Sequence, residues 1–303
     1  MDNKESPRGF IHPTALPKNS QEADQWQREN KEWWQRHPMR YDWKSQLGCG
    51  EFSREFFEEI DRRFFGDARE YLQSHSLPFD DLIRFRALAD KDVLEVGVGN
   101  GSHAALLAQH SQSFTGIDIT DYACESTRKR FEIFGLSGSI QQADVEHLPF
   151  PDSSFDFVWS WGVIHHSANT KNALKEIHRV LRPGGRAIVM VYHRGWWNYY
   201  IFSFLASLLS GDFRPGFLHH GIQKKTDGAI ARYYSFRGWR AVVGDLFDVE
   251  SLFSLGPKSD VILLPAGSVK ERFKEFLPVR LNIFLTRRFH MGSFLVSCLR
   301  KKA

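Results

Sequence analysis

Apolar and polar positions change rhythm several times along this chain, and the changes divide it. Between residues 92 and 193, short apolar runs of strand length alternate with stretches in which apolar residues recur every three or four positions. Val93-Leu94-Glu95-Val96 is the first run, followed by 113–119 (SFTGIDI), 139–144 (SIQQAD), 155–160 (FDFVWS) and 186–192 (RAIVMVY). Helical patterns fill the gaps, and the last of them, LKEIHRVL, is stopped by Arg182-Pro183-Gly184-Gly185. Strands alternating with helices predict an α/β fold, a parallel sheet wound with right-handed crossovers. Beyond it, 236–247 reads as a helix, and 249–255 and 294–299 as the last two strands.

The flanks keep a different rhythm. Pro7, Pro13 and Pro17 among polar residues mark 1–20 as a flexible lead-in. A polar helix then starts at Ser20, carries Trp26, Trp33 and Trp34, and ends at Pro38; a second, from Glu51, sets Phe52, Phe56, Ile60 and Phe64 on one face. A short helix between Pro78 and Ala89 leads into the first strand. The expected organisation is an N-terminal extension and helical cap over 1–80 and a main domain over 81–303. The cap is either a cover for the sheet edge or a lid over a ligand. Residues 195–232 interrupt the alternation with GWWNYYIFSFLASLLS and then a loop through Asp212, Pro215 and Gly221. An insertion after the carboxyl end of a strand sits where open α/β sheets bind ligands. The connection 257–290 holds a basic amphipathic segment, VKERFKEFL.

Composition narrows the setting. A net charge of +4, from 40 basic and 36 acidic residues, is scattered, so no nucleic-acid partner is expected. Three distant cysteines suggest neither disulfides nor zinc, and no metal is expected. Nothing after Met1 resembles an apolar signal segment, and the run 196–209 is too short to span a bilayer. A cytoplasmic enzyme is the expectation. Nine Trp and 26 Phe serve either core or an apolar pocket.

Chemistry concentrates in DVLEVGVGNG, a strand that turns through Gly97, Gly99 and Gly101 into a helix. Glycines there admit positive φ and leave room for a nucleotide, and the helix start offers free N–H groups. The same unit binds NAD when the pattern is G-x-G-x-x-G; here Ser102 stands where the fourth-spaced glycine would be. Asp118, about twenty residues on, suits ribose hydroxyls in either case. From these residues alone, two cofactors remain open.

Downstream motifs separate them. E-x-G-x-G-x-G from Glu95, Asp118, Asp144 followed by LPFPDSSFDFV, His165-His166 and LRPGG together resemble the class I S-adenosylmethionine-dependent methyltransferases, in the branch often called type 11 or UbiE-like. The resemblance covers residues 80–193 and, more loosely, the final strands. It implies a Rossmann-like, doubly wound, mostly parallel seven-stranded sheet with the last strand antiparallel, and S-adenosyl-L-methionine as cofactor. On matching positions it implies that Glu95, Gly97 and Gly99 shape the methionine pocket, that Asp118 holds the ribose and that Asp144 accepts from the adenine amino group. Ile119 and Val145 would flank adenine, and Ser160, with Trp161, would meet the cofactor amine or the substrate. Tyr41, in HPMRYDW, would reach the cofactor carboxylate.

Methyl transfer from a sulfonium is an in-line displacement, so positioning in a dry pocket carries most of it, and a base is needed only where the acceptor must lose a proton. His165, His166, Tyr192 and His193 follow strand ends and are the candidates. The aromatic insertion and tryptophan-rich leader suggest a lidded apolar pocket for a small lipophilic or aromatic acceptor, methylated on O or C ahead of N. As an amphipathic surface element, the insertion would instead serve reversible membrane or partner contact. The rival readings are a nicotinamide-dependent oxidoreductase and a non-catalytic cofactor-binding or interaction subunit. No oligomeric state is indicated.

Overall fold

Residues 12–42, 45–73, 77–211, 213, 215–223, 228, 230–264 and 267–302 are described by a computed structural model. Pro7 and the rest of the lead-in before His12, Trp43 of the leader segment, and Asp212 of the insertion lie outside the described residues.

Eight strands make one sheet among the described residues: β1 (Asp92–Val96), β2 (Ser113–Asp118), β3 (Ser139–Gln142), β4 (Phe155–Trp161), β5 (Leu181–His193), β6 (Tyr233–Tyr234), β7 (Phe247–Leu255) and β8 (Phe294–Lys301). Their order is β3-β2-β1-β4-β5-β8-β7, with the two-residue β6 paired to β5 beside that path. The first five strands are parallel to one another, and β8 runs antiparallel between β5 and β7. The main path is thus the expected seven strands with the final one reversed.

Burial on both faces explains why these strands read as unbroken apolar runs. Val93, Phe157, Trp159 and Ile188 pack on one side with Ala104 and Leu107 of helix α4 (Ser102–His110). Leu94, Val96, Val158 and Val189 pack on the other with Ala173, Leu174 and Ile177 of α6 (Thr170–Val180) and Trp239 of α9 (Phe236–Val243). Helix α5 (Asp121–Phe134) lies on the same side as α4. Strand order reverses between β1 and β4, and the crevice at their carboxyl ends is where such sheets place ligands.

Several boundaries shift for local reasons. β5 opens at Leu181, and Arg182-Pro183-Gly184-Gly185 is accommodated as an irregularity between the pairs Phe155–Leu181 and Phe157–Arg186. β3 ends at Gln142, which leaves Asp144 two residues beyond it. α9 stops at Val243, and Phe247 opens β7. Helix α2 (Arg54–Ala68) begins after Ser53, whose hydroxyl accepts from Phe56 N, so Phe52 at φ 60° precedes the helix. The segment after Pro78 is a four-residue turn of helix, α3 (Asp80–Ile83), and a 3-10 turn, Phe85–Leu88, broken at Arg84.

The cap crosses the sheet's carboxyl edge. Helix α1 (Ser20–Arg36), capped by Asn19, is held by Gln27, which donates to Asp144 Oδ1 at 2.8 Å and accepts from Ala168 N at 2.9 Å. α2 is tied to the core through Asp61, which accepts from buried Arg130 at 2.8 Å and from Ser102 at 2.6 Å. After β5 come a π-helical segment, Trp196–Phe202, then α7 (Ser203–Ser210) and α8 (Phe217–Gln223). α10 (Lys258–Val261), α11 (Ser268–Phe276) and α12 (Val279–Arg288) fill the last connection. Among the described residues, no helix is long and apolar enough to cross a membrane.

Candidate active site

A cavity of about 420 Å³ opens at the carboxyl ends of β1, β2 and β4, beneath α1 and the loop that follows it. Its floor is the glycine turn. Gly97 has φ 82°, and a Cβ there would run into Val163; Gly99 has φ 53°, and a Cβ there would meet no atom within 4 Å. Gly97 therefore serves close packing and Gly99 leaves open space for a ligand. Asn100 donates to Met39 O at 2.6 Å and accepts from Ser126 at 2.6 Å, which fastens the leader loop to the turn.

Acidic groups line this end. Asp118 accepts from Gly99 N at 3.2 Å and from Thr120 N and Oγ1 at 3.0 and 2.9 Å; burial raises its pKa, and these bonds hold the rise back. Asp144 accepts from Gln27 and, at 2.8 Å, from Glu146 N through the same oxygen. Glu95 is 2% exposed, its Oε2 has no hydrogen-bond partner among the described residues, and burial, reinforced by Asp118, pushes its carboxyl well above the usual range. With Asp67, four carboxyl side chains and no Lys or Arg stand among the described lining residues. Such a cavity fits a cationic ligand and repels a pyrophosphate, which wants N–H groups and positive charge. Ile119 and Val145, each next in the chain to one of the two aspartates, also line the wall.

Beyond this acidic end the wall is aromatic. Tyr41, Phe64, Trp161, Tyr192 and Phe294 line it, with the Tyr41 ring 5.2 Å from that of Phe64. His166 also lines it: its Nδ1 donates to Ile230 O at 2.5 Å, its ring lies 5.1 Å from Trp34, and it sits 5.5 Å from the Tyr192 ring. Since a carbonyl only accepts, Nδ1 carries the proton and the neutral ring's lone pair is on Nε2.

Three of the expected site residues lie off the cavity wall. His165 is fully buried 4.0 Å from the Tyr192 ring, neither nitrogen has a hydrogen-bond partner among the described residues, and burial drives its pKa well below the usual value. Its neighbour takes the cavity side because a 3-10 turn, Ile164–His166, sends successive side chains to different faces. His193 donates to Gly292 O at 2.8 Å inside the core, and burial lowers its pKa to about 4. Ser160 is wholly buried, with an unpartnered hydroxyl; the next residue, Trp161, reaches the cavity as alternation along a strand requires.

The insertion is displaced too. No described residue of 195–232 lines the cavity, because Tyr199, Ser203 and Ser207 turn inward while its large apolar side chains face away. The aromatic wall is supplied by the cap and the strand ends instead. Two lining residues carried no signal of their own in the sequence. Gln27 sits on a polar helix; His103 is marked only by following the glycine turn. His103 stands 3.9 Å from Glu95 and 4.5 Å from the Phe79 ring, with burial lowering its pKa to about 3.

Residues 94–189 match the family described as "Methyltransferase domain". This segment is a class I S-adenosylmethionine-dependent methyltransferase domain of the type 11 branch. The domain is 36% identical over 118 residues to an O-methyltransferase of Pyrenophora dematioidea, covering 38% of this chain and 44% of that protein. It is 39% identical over 100 residues to phthiotriol/phenolphthiotriol dimycocerosates methyltransferase of Mycobacterium tuberculosis (strain ATCC 25618 / H37Rv), covering 32% of this chain and 36% of that one. The chain thus matches less than half the length of these curated relatives. A putative sarcosine dimethylglycine methyltransferase from Galdieria sulphuraria shares the fold at a TM-score of 0.50 and 14% identity, over 80% of this chain and 98% of that one. The methyltransferase domain takes S-adenosylmethionine as cofactor, in keeping with its acid-lined cavity, and the nicotinamide reading is not favoured.

Proposed function

We propose that the whole chain transfers a methyl group from S-adenosylmethionine to an oxygen or carbon of a small lipophilic or aromatic acceptor, in a reducing, cytoplasmic setting. The observation that carries this reading is the single cavity that joins an acidic end to an aromatic one. Asp118 would hold the ribose, Asp144 the adenine amino group through Oδ2, and Glu95 the cationic methionine part between Gly97 and Gly99. The bound cofactor supplies an electrophilic methyl group on a sulfonium. The chain's own work is to exclude water with α1 and to align the acceptor against Phe64 and Phe294, while Tyr41 would reach the cofactor carboxylate. His166 is the base of choice among the histidines, taking the acceptor's hydroxyl proton at Nε2 while Ile230 O fixes its tautomer. Tyr192 would orient the acceptor beside it; Ser160, His165 and His193 support the site from behind.

Calorimetry tests the reading. S-adenosylhomocysteine should bind and NAD should not, and Asp118→Ala should weaken binding about tenfold or more. Absence of heat with S-adenosylhomocysteine would sink the proposal. Label from methyl-tritiated S-adenosylmethionine should reach solvent-extractable products of a panel of phenols and hydroquinones. His166→Ala should slow that transfer roughly a hundredfold and keep cofactor affinity. Cofactor binding with no transfer to any acceptor would favour a non-catalytic subunit.

A further inference from the structure

The insertion and the last connection are built inside out. Along Trp196–Phe202 and α7, Trp196, Tyr200, Phe204 and Leu208 recur at every fourth position and are all exposed, and Leu209 is 87% exposed. Tyr199, Ser203 and Ser207, also every fourth position, are buried. α7 packs on α8 through small residues, since a Cβ added to Gly221 would meet Ser203 and Ser207 at 3.5–3.6 Å. α12 does the same, burying Asn282 and Thr286 while Leu281 and Phe284 face outward. α11 buries nothing and exposes Val269, Phe273 and Phe276, the last by 77%. A surface helix in water turns its apolar stripe inward, whereas small and polar residues between helices with large apolar ones outside are the pattern of an apolar surrounding.

These elements form one face. Trp196 Nε1 donates to Phe289 O at 2.7 Å, Asn198 donates to Met291 O, and Trp197 Nε1 donates to Asp260 O of α10 at 2.9 Å. Lys258 of α10 donates to Lys274 O of α11 at 3.0 Å. The face adjoins the cavity: Pro257, next to Lys258, lines the aromatic end, and Asn282 of α12 donates to Glu70 O, beside the lining residue Tyr71. Its charge is positive, with six basic against two acidic residues in 268–288. Arg272, Arg280 and Arg288 are exposed and make no ion pair among the described residues.

We propose that this face docks on an anionic lipid bilayer surface, seating its aromatic and leucine side chains at the acyl boundary and its arginines among the head groups, so that an apolar acceptor enters the cavity from the lipid. The docking step stands on the geometry of the face; the entry of acceptor rests on the function proposed above.

The test uses the full chain sedimented with vesicles of phosphatidylcholine alone or mixed with phosphatidylglycerol. Binding should appear with the mixed vesicles and fall with added salt. Arg272→Gln and Arg280→Gln should each weaken partitioning about fivefold. The pair Phe273→Ser and Phe276→Ser should weaken it about tenfold or more, with S-adenosylhomocysteine affinity unchanged because both positions are exposed. No binding to mixed vesicles by a chain that binds S-adenosylhomocysteine would overturn the docking face alone. Vesicle binding without S-adenosylhomocysteine binding would support the face and sink the methyltransferase function. A dimer by light scattering that the Phe273→Ser, Phe276→Ser pair dissociates would overturn the proposal in favour of a second copy.

Discussion

Glu95 is the residue at which stability and ligand binding pull apart. In the ligand-free protein its carboxyl is buried, half unsatisfied and raised well above the usual range. A raised folded pKa means that near neutral pH ionising Glu95 costs the folded state more than the unfolded one, a penalty that vanishes below about pH 4.3, where both hold the proton. A cation bound beside it favours the ionised form, so S-adenosylmethionine should bind more tightly as pH rises through the raised range and release a proton. Glu95→Gln is expected to raise the melting temperature of the ligand-free chain near pH 7.5 but not near pH 4. It should also weaken S-adenosylmethionine binding and remove its pH dependence. A variant with unchanged melting and unchanged affinity would show that Glu95 is neither desolvated nor turned to the ligand.

At the scale of elements, α1 covers the cavity at the sheet edge, and Gln27 ties it to the strand ends from two sides. One amide both donates to Asp144 and accepts from Ala168 N, so truncating it leaves a half-buried donor without its partner and loosens the helix over the cavity. Gln27→Ala should speed dissociation of S-adenosylhomocysteine several-fold and expose α1 to limited proteolysis in the ligand-free chain. Equal dissociation rates and equal cleavage would place the lid elsewhere. This attachment was not legible in the sequence, because a glutamine on a polar helix looks like any solvated one. The parallel sheet was legible, since burial on both faces leaves unbroken apolar runs. So were the glycine turn, Asp118 and Asp144, whose spacing is fixed by strand and turn lengths. What periodicity cannot tell is which side of a helix faces in. The repeats of 196–209 and of α12 were visible, yet their apolar sides face out, and the wall expected from the insertion comes from Tyr41, Phe64 and Phe294. The same ambiguity hid which of His165 and His166 meets the cavity, because a 3-10 turn decides it.

For the molecule as a whole, buried histidines and buried carboxyls oppose each other in acid. Burial lowers His103 and His219 to about 3 and His193 to about 4, and drives His165 well down. Each is neutral when folded and takes a proton on unfolding below about pH 6.5, so stability present above that pH is lost as the pH falls. Glu146 and Asp260, raised to about 7 by burial, and Glu95 do the reverse: they keep a proton when folded that the unfolded chain gives up above about pH 4.3. Between about pH 6 and 5 the protons that the histidines gain on unfolding are opposed by those the carboxyls release, so stability should fall only gently with pH. Below about pH 5 the unfolded carboxyls regain their protons, the opposition fades, and the slope should steepen. Urea unfolding across this range should therefore show a shallow limb that breaks downward near pH 5. Asp260→Asn removes one opposing proton and should bring the steep limb up toward pH 6, whereas a wild-type curve with a single slope from pH 6.5 to 4 would mean that these histidines are solvated or paired in the folded chain.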